Sequence, residues 1–161
     1  MDKLPVDLTS AECLQLGPDQ VTILATCTQT NGALFAVLVR MPPGGGPPVL
    51  HRHDPGEVYY VLEGEFSFYI GYPDTRRVTA TAGDVVPLAG GTPHTVRNES
   101  TADAVAFVVH APGAPMENFS RAVATLAADS DGDGGPSMDA VLAIAAQHGI
   151  ELLGPIPELA H

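Results

Sequence analysis

The sequence predicts an all-β domain that is followed by a short helical extension. Its apolar runs are short and evenly spaced, and turn-forming residues separate them. Only the last part of the chain changes to the spacing of helices. The 161 residues include 17 Gly and 15 Pro, which suits a chain with many turns, and 45% of them are apolar, enough for the core of one domain.

The predicted strands follow one another as far as residue 110. Asn31-Gly32 is a strong hairpin signal, Gly64 marks a second tight turn, and the proline-rich stretch 42–48 reads as a stiff loop. Strands this short and this regular are typical of a β-sandwich or barrel. They are predicted over residues 21–28, 33–41, 49–53, 57–62, 65–70, 77–82, 84–88, 94–98 and 104–110.

Two helices are predicted near the end of the chain. Pro115 suits the first turn of one helix, Ser137 is the N-cap of the other, and Gly149 marks its C-terminal end. The apolar stripe on each helix is expected to pack on the β domain. The sequence therefore predicts a β domain over residues 1–112 and a helical extension over residues 113–161.

Three histidines and one glutamate form the most informative pattern in the chain. His51 and His53 share one face of a strand because side chains alternate with period 2. Glu57 opens the next strand, and His94 opens a strand much later in the chain. Three imidazoles and a carboxylate are a ligand set for a divalent transition metal such as Fe, Ni, Mn, Co, Cu or Zn. Half of the six histidines fall into this set, which argues against scattered surface residues.

The residues around this pattern fall into two spaced motifs. In the first, five residues separate Gly45 from His51, three separate His53 from Glu57, and six separate Glu57 from Gly64. A pattern with this many fixed spacings is far more specific than a lone pair of histidines.

The second motif surrounds His94. Seven residues separate Gly83 from Gly91, two separate Gly91 from His94, and three separate His94 from Asn98.

These motifs, over residues 45–64 and 83–98, resemble the two motifs of the cupin superfamily. One position departs, because the family pattern has a proline where this chain has Ala89; the change concerns a turn and no ligand. The tail over residues 149–155 is similar to that of small single-domain cupins of the quercetin-dioxygenase-like group. The resemblance implies an antiparallel jelly-roll β-barrel over residues 1–112. It also implies one divalent transition metal per chain, with the ligands His51, His53, Glu57 and His94.

Alternation along the strands indicates which other side chains face the inside of the barrel. For each of them, ordinary core packing is the plainer interpretation, but together they predict an apolar cavity suited to an aromatic small molecule. The residues predicted to line it are Tyr59, Phe66, Phe68 and Phe107. The other histidines, His110, His148 and His161, are predicted to lie outside the site, with His110 at the surface.

Composition narrows the possible partners. The formal net charge of −12 argues against binding of nucleic acid or of anionic lipid surfaces. The sequence has no apolar run of transmembrane length, and we expect no signal peptide because residues 1–10 lack an apolar core region. Cys13 and Cys27 match no metal or redox motif, so we expect buried, reduced thiols and a cytoplasmic protein. We also expect a homodimer that protects open sheet edges, with contributions from residues before Thr30.

Three classes of function remain open. The resemblance implies a metal-dependent dioxygenase acting on an enolic or phenolic aromatic compound. The same site could serve a non-redox isomerase, cyclase or lyase, or a binding module without turnover. Glu57 is the candidate catalytic residue, as a metal ligand, a general base or both.

Overall fold

The computed structural model of this protein describes residues 4–129 and 137–157. Within them the chain forms eleven strands and two helices. The strands are β1 Cys13–Leu16, β2 Asp19–Ala25, β3 Phe35–Met41, β4 Val49–Arg52, β5 Gly56–Glu63, β6 Glu65–Ile70, β7 Arg76–Thr81, β8 Val85–Leu88, β9 His94–Arg97, β10 Ala104–Ala111 and β11 Glu151–Pro155. The helices are α1 Ala114–Ala128 and α2 Met138–Gln147.

The strands form two antiparallel sheets. The larger has the order β1-β2-β3-β10-β5-β8, and the smaller has the order β11-β4-β9-β6-β7. Apolar side chains from both sheets pack into one core, in which Phe35, Val61, Phe66 and Phe68 are almost fully buried. The predicted fold class, an antiparallel β-barrel followed by helices, is confirmed.

Local sequence explains the turns that join these strands. Asn31 and Gly32 both adopt a positive φ, 52° and 83°, as the predicted Asn-Gly turn requires. The sequence did not predict β1 and β11, which are only four and five residues long. The sequence of β11 does not look like a strand because it contains Gly154 and Pro155, and both residue types usually interrupt strands. The strand pairs with β4, so the chain after the helices returns to the smaller sheet.

The two helices begin where the sequence predicts. Pro115 lies in the first turn of α1, and the Ser137 side chain accepts a hydrogen bond from the backbone N–H of Ala140 at 3.3 Å. A Cβ at Gly113 would overlap the backbone between Leu34 and Phe35, so glycine allows α1 to start directly against β3. These helices supply the predicted helical extension.

Strand β10 reverses one prediction. Its inward side chains are Ala104, Ala106, Val108 and His110, whereas Phe107 pairs with Tyr60 and Leu38 on the outward face of the larger sheet. The placement of Phe107 in the cavity and of His110 at the surface is therefore wrong. The strand lies between two others and is apolar at nearly every position, so alternation cannot show which face points inward.

Several apolar side chains on the outward face of the larger sheet are exposed. They lie on the neighbouring strands β5 and β8, and Val85 is 57% exposed and Tyr60 43% exposed. The other exposed members of this face are Val58 and Leu62.

Neither helix in the described part of the chain is long and apolar enough to cross a membrane. Cys13 and Cys27 are free thiols, as predicted, but Cys13 is exposed and Cys27 only half-buried. The expectation that both are buried is wrong. His161 lies outside the described residues.

Candidate metal centre

The three predicted histidines meet at the junction of β4 and β9. His51 pairs with His94 across the two strands, and His53 follows directly after β4. The ring centroids of His51 and His94 are 4.6 Å apart, and those of His53 and His94 are 5.3 Å apart. One nitrogen from each of the three rings lies within 4.8 Å of the others.

A glycine in the preceding loop allows this close pairing. Gly46 has a positive φ of 93°, and a Cβ at this position would overlap the carbonyl oxygen of Val96 in β9. The loop before β4 therefore packs directly on the backbone of β9. Because β4 follows within three residues, the same contact brings His51 beside His94.

Backbone carbonyls orient all three rings in the same way. The Nδ1 of His51 lies 3.3 Å from the carbonyl oxygen of Val49, that of His53 lies 3.0 Å from Pro55, and that of His94 lies 2.8 Å from Thr92. A carbonyl only accepts hydrogen bonds, so each Nδ1 must carry the hydrogen. In the neutral ring this leaves Nε2 with a free lone pair, which is the form that binds a metal.

Glu57 lies against this group from the facing strand β5. It is 4% exposed, and its Oε2 lies 3.0 Å from Nε2 of His94 while its Oε1 lies 3.2 Å from Nε2 of His53. Burial would raise the pKa of Glu57, but contacts with His110, His53 and His94 outweigh it and hold the pKa well below its usual value. The carboxylate is therefore ionised at neutral pH.

The ionisation of the imidazoles follows from their neighbours. Burial, with a contribution from nearby His94, lowers the pKa of His51 to about 4, so His51 is neutral near pH 7. Burial by itself would also lower the pKa of His94, but the contact with Glu57 is stronger and raises it. The carboxylate of Glu57 thus favours a positive charge, from a proton or a metal ion, at Nε2 of His94.

Three polar atoms at this centre lack hydrogen-bond partners within the described residues, and their chemistry fits a metal ion. Nε2 of His53, Nε2 of His94 and Oε2 of Glu57 are buried, and none has a hydrogen-bond partner among the described residues. With each Nδ1 protonated, the lone pairs of Nε2 face the lone pairs of an ionised carboxylate across about 3 Å, an arrangement that only a proton or a cation between them stabilises. The donor set matches the predicted divalent transition metal.

Comparison with known proteins agrees with this geometry. A family model described as a cupin domain matches residues 37–110, a range that contains both motifs and the four site residues. Residues 37–110 form a cupin domain. No curated protein matches the chain.

Solved structures with this cupin fold cover about two thirds of the chain. The protein TT1209 from Thermus thermophilus is 27% identical, with 67% of this chain and 96% of that chain covered and a TM-score of 0.54. A predicted oxalate decarboxylase from Thermotoga maritima is 25% identical, with 67% and 98% covered and a TM-score of 0.58. A sugar phosphate isomerase of the cupin superfamily from Silicibacter pomeroyi is 21% identical, with 66% and 74% covered and a TM-score of 0.57, a likeness that shows the fold alone. The more specific resemblance to the quercetin-dioxygenase-like group stays a prediction.

A fourth imidazole reaches the centre of this cupin, and sequence reasoning missed it. His110 is 7% exposed, and its Nε2 lies 2.9 Å from Oε1 of Glu57. It lies outside both motifs, and the signal that could have found it is its position at the end of an apolar strand, where a polar residue needs a reason. His148 packs against Phe119 at the end of α2 and is not part of the histidine group, as predicted.

The residues predicted to line a cavity have different positions. Phe66 and Phe68 are fully buried in the core, and Tyr59 is half-buried with its ring 5.1 Å from that of Phe68 in an edge-on contact. Burial, and then the negative charges of Glu57 and Asp19, hold the pKa of Tyr59 well above its usual value, so the phenol is neutral. The inward position of these three aromatic residues is confirmed, and contact with a substrate stays a prediction.

Asn98, the last residue of the second motif, has a structural role. Its side-chain amide donates to the carbonyl oxygens of Met41 and Ala102, both at 2.8 Å, and its side-chain oxygen accepts from the backbone N–H of Ser100 at 2.9 Å. Sequence reasoning left open a supporting role at the metal or a role in a turn. These bonds support the turn.

Proposed function

We propose that this cupin is a metal-dependent enzyme, a dioxygenase that acts on an enolic or phenolic aromatic small molecule. The observation that carries the proposal is the buried group of His51, His53 and His94, whose nitrogens converge beside the ionised carboxylate of Glu57. Such a group costs free energy in a folded core unless it binds a cation. The presence of this costly arrangement is therefore best explained by a function that needs the cation.

The site residues have different proposed roles. His51, His53 and His94 would hold one divalent transition metal, with Glu57 as a fourth ligand. When bound, such an ion supplies Lewis acidity toward an anionic substrate oxygen and, if it is redox-active, chemistry with dioxygen. Three or four protein ligands leave room for a substrate oxygen at a six-coordinate ion.

Glu57 is proposed as the base that prepares the substrate. The carboxylate is ionised at neutral pH, which is the form that can accept the proton of an enol or phenol. The two carboxylate oxygens of Glu57 have different neighbours. Oε1 faces His110 and His53, whereas Oε2 faces His94 and is free of hydrogen bonds within the described residues. The proton would accordingly be accepted at Oε2.

The aromatic side chains beside the centre are proposed to exclude water from this step. Tyr59 follows Glu57 on the inward face of β5, and Phe68 packs against it from the opposite sheet. An apolar wall strengthens the electrostatic contacts of a substrate anion and protects it from the solvent. This surface favours a flat aromatic substrate over a free sugar.

A non-redox metal-dependent isomerase, cyclase or lyase is the second candidate. Two proteins of similar structure are a predicted oxalate decarboxylase and a sugar phosphate isomerase. The same carboxylate base and ligand set would serve such a reaction without dioxygen. A small-molecule-binding cupin without turnover would retain the metal but need no base.

Oxygen consumption separates these candidates. Protein purified without an affinity tag and loaded with iron or nickel should consume dioxygen when a flavonol is added, and chelated protein should not. Equal turnover of a substrate with and without oxygen would contradict the dioxygenase proposal and favour the non-redox candidate. Metal binding without turnover under either condition would favour the binding module.

We also propose that the protein is a cytoplasmic homodimer. The outward face of the larger sheet presents Val58, Tyr60, Leu62 and Val85 without a charge among them, so two strongly negative chains can approach there. Exposed Leu4 and Leu8 belong to the segment before Thr30 that was predicted to contribute.

Light scattering at micromolar concentration should give the mass of two chains. Tyr60→Glu should shift the mass toward one chain, because it places two like charges in an apolar contact. The matched control is Leu142→Glu, a charge on an exposed apolar residue of α2. A monomeric wild-type mass would contradict the proposal.

A further inference from the structure

His110 lies directly across from Glu57 in the larger sheet. The two residues are paired in the register of β5 and β10, and their side chains meet inside the barrel. Nε2 of His110 lies 2.9 Å from Oε1 of Glu57. An ionised carboxylate only accepts hydrogen bonds, so His110 must donate through Nε2–H.

The other ring nitrogen of His110 forms no hydrogen bond within the described residues. Its Nδ1 is buried and has no hydrogen-bond partner among the described residues. Its ring stacks on that of Phe35, with centroids 6.0 Å apart and an interplanar angle of 24°. A buried polar residue that served the fold alone would be expected to use both nitrogens, because an unpaired acceptor in a core is costly. The hydrogen bond to Glu57 is therefore the best explanation for a histidine at this buried position.

That contact distinguishes the two oxygens of the carboxylate. Oε1 is held by His110, and Oε2 faces His94 with no hydrogen-bond partner in the described part of the chain. A carboxylate fixed through one oxygen cannot rotate freely about its terminal bond. The contact thus keeps Oε2 directed at the imidazoles of β4 and β9.

We propose that His110 is a positioning residue for the metal centre, and that its hydrogen bond to Oε1 of Glu57 keeps Oε2 available to the metal and to a substrate proton. The inference rests on the proposed metal-binding function. His110 lies outside the two motifs that carry the cupin resemblance. The inference therefore assigns a supporting role to a residue that is not one of the four predicted ligands.

Cobalt(II) binding tests the inference without an activity assay. His110→Leu and His110→Met both remove the donor and leave an apolar side chain, while His110→Gln keeps an N–H that can reach Glu57. The matched control is His148→Leu, since His148 lies at the end of α2 and outside the histidine group. The measurements are the Kd for cobalt(II) by calorimetry and the visible absorption spectrum of the bound ion, with circular dichroism to check folding.

Loss of a residue that orients a metal ligand commonly weakens metal binding about 10- to 100-fold. We expect a weakening of this size and an altered cobalt spectrum in whichever of His110→Leu and His110→Met folds, with most of the affinity recovered in His110→Gln. His148→Leu should match the wild type. Wild-type affinity and spectrum in a folded donor-free variant would overturn the inference, as would a His110→Gln protein that binds as weakly as the apolar variants. A wild-type protein that binds no cobalt would instead overturn the proposed function, and this inference with it.

Discussion

His94→Ala is expected to remove nearly all bound metal. Wild-type protein should hold about one transition-metal ion per chain, because one nitrogen from each of three imidazoles lies within 4.8 Å of the others and Glu57 contacts two of these rings. His94 is the imidazole that links the others, since it lies across from His51 and its Nε2 contacts Glu57 at 3.0 Å. Removing a ligand should cost more than the roughly 100-fold loss of affinity that follows removal of a supporting residue. Elemental analysis of protein dialysed against a weak chelator measures the result.

His148→Ala is the control for this substitution, because it removes a histidine that does not belong to the group. It should retain the wild-type metal content. The pH dependence gives a second measure. His94 has a raised pKa, so a proton competes with the metal below that pKa, and the affinity should fall as the pH is lowered from neutral. Full metal content in His94→Ala, or a wild-type affinity unchanged down to about pH 4, would count against histidine ligation.

Glu57→Gln is expected to slow turnover far more than it weakens metal binding. Glutamine keeps the shape of the side chain and a carbonyl oxygen, but it cannot accept and hold a proton as the ionised carboxylate does. General-base catalysis commonly contributes about 10²- to 10⁴-fold, so oxygen uptake with an active substrate should fall by at least about 100-fold. The cobalt(II) affinity of the same protein should fall by about 10- to 100-fold, as in the His110 variants, because the amide oxygen and the three imidazoles remain; oxygen uptake is therefore compared at saturating metal.

The control here is Glu63→Gln, an exposed glutamate at the other end of the same strand. It should change neither quantity. A Glu57→Gln protein in which activity and metal affinity fall in equal proportion would show that Glu57 serves only as a ligand. Unchanged activity would exclude it from the chemistry.

The convergence of the three histidines was predictable because it depends on local rules. His51 and His53 share a face through the period of a strand, and glycines at fixed intervals mark the turns that bring the strands together. These signals do not require knowledge of which strands are neighbours. The Asn31-Gly32 turn and the ends of most strands were predicted for the same reason.

The positions of Phe107 and His110 depend on which face of β10 points inward, and the sequence does not show this. Strand β10 lies between β3 and β5 and is apolar on both faces, so its pattern is compatible with either orientation. A shift of one residue exchanges every inward side chain for its neighbour. Only the pairing of His110 with Glu57 decides the orientation, and that pairing is a long-range contact.

The position of a bound ion tests the central claim most directly. Crystals of the protein soaked with zinc(II) or cobalt(II) and measured at the absorption edge of that metal reveal where the ion lies. We expect one strong anomalous peak per chain, about 2.0–2.3 Å from nitrogens of His51, His53 and His94 and beside Oε2 of Glu57. A peak on surface carboxylates alone, with none among these three histidines, would contradict it.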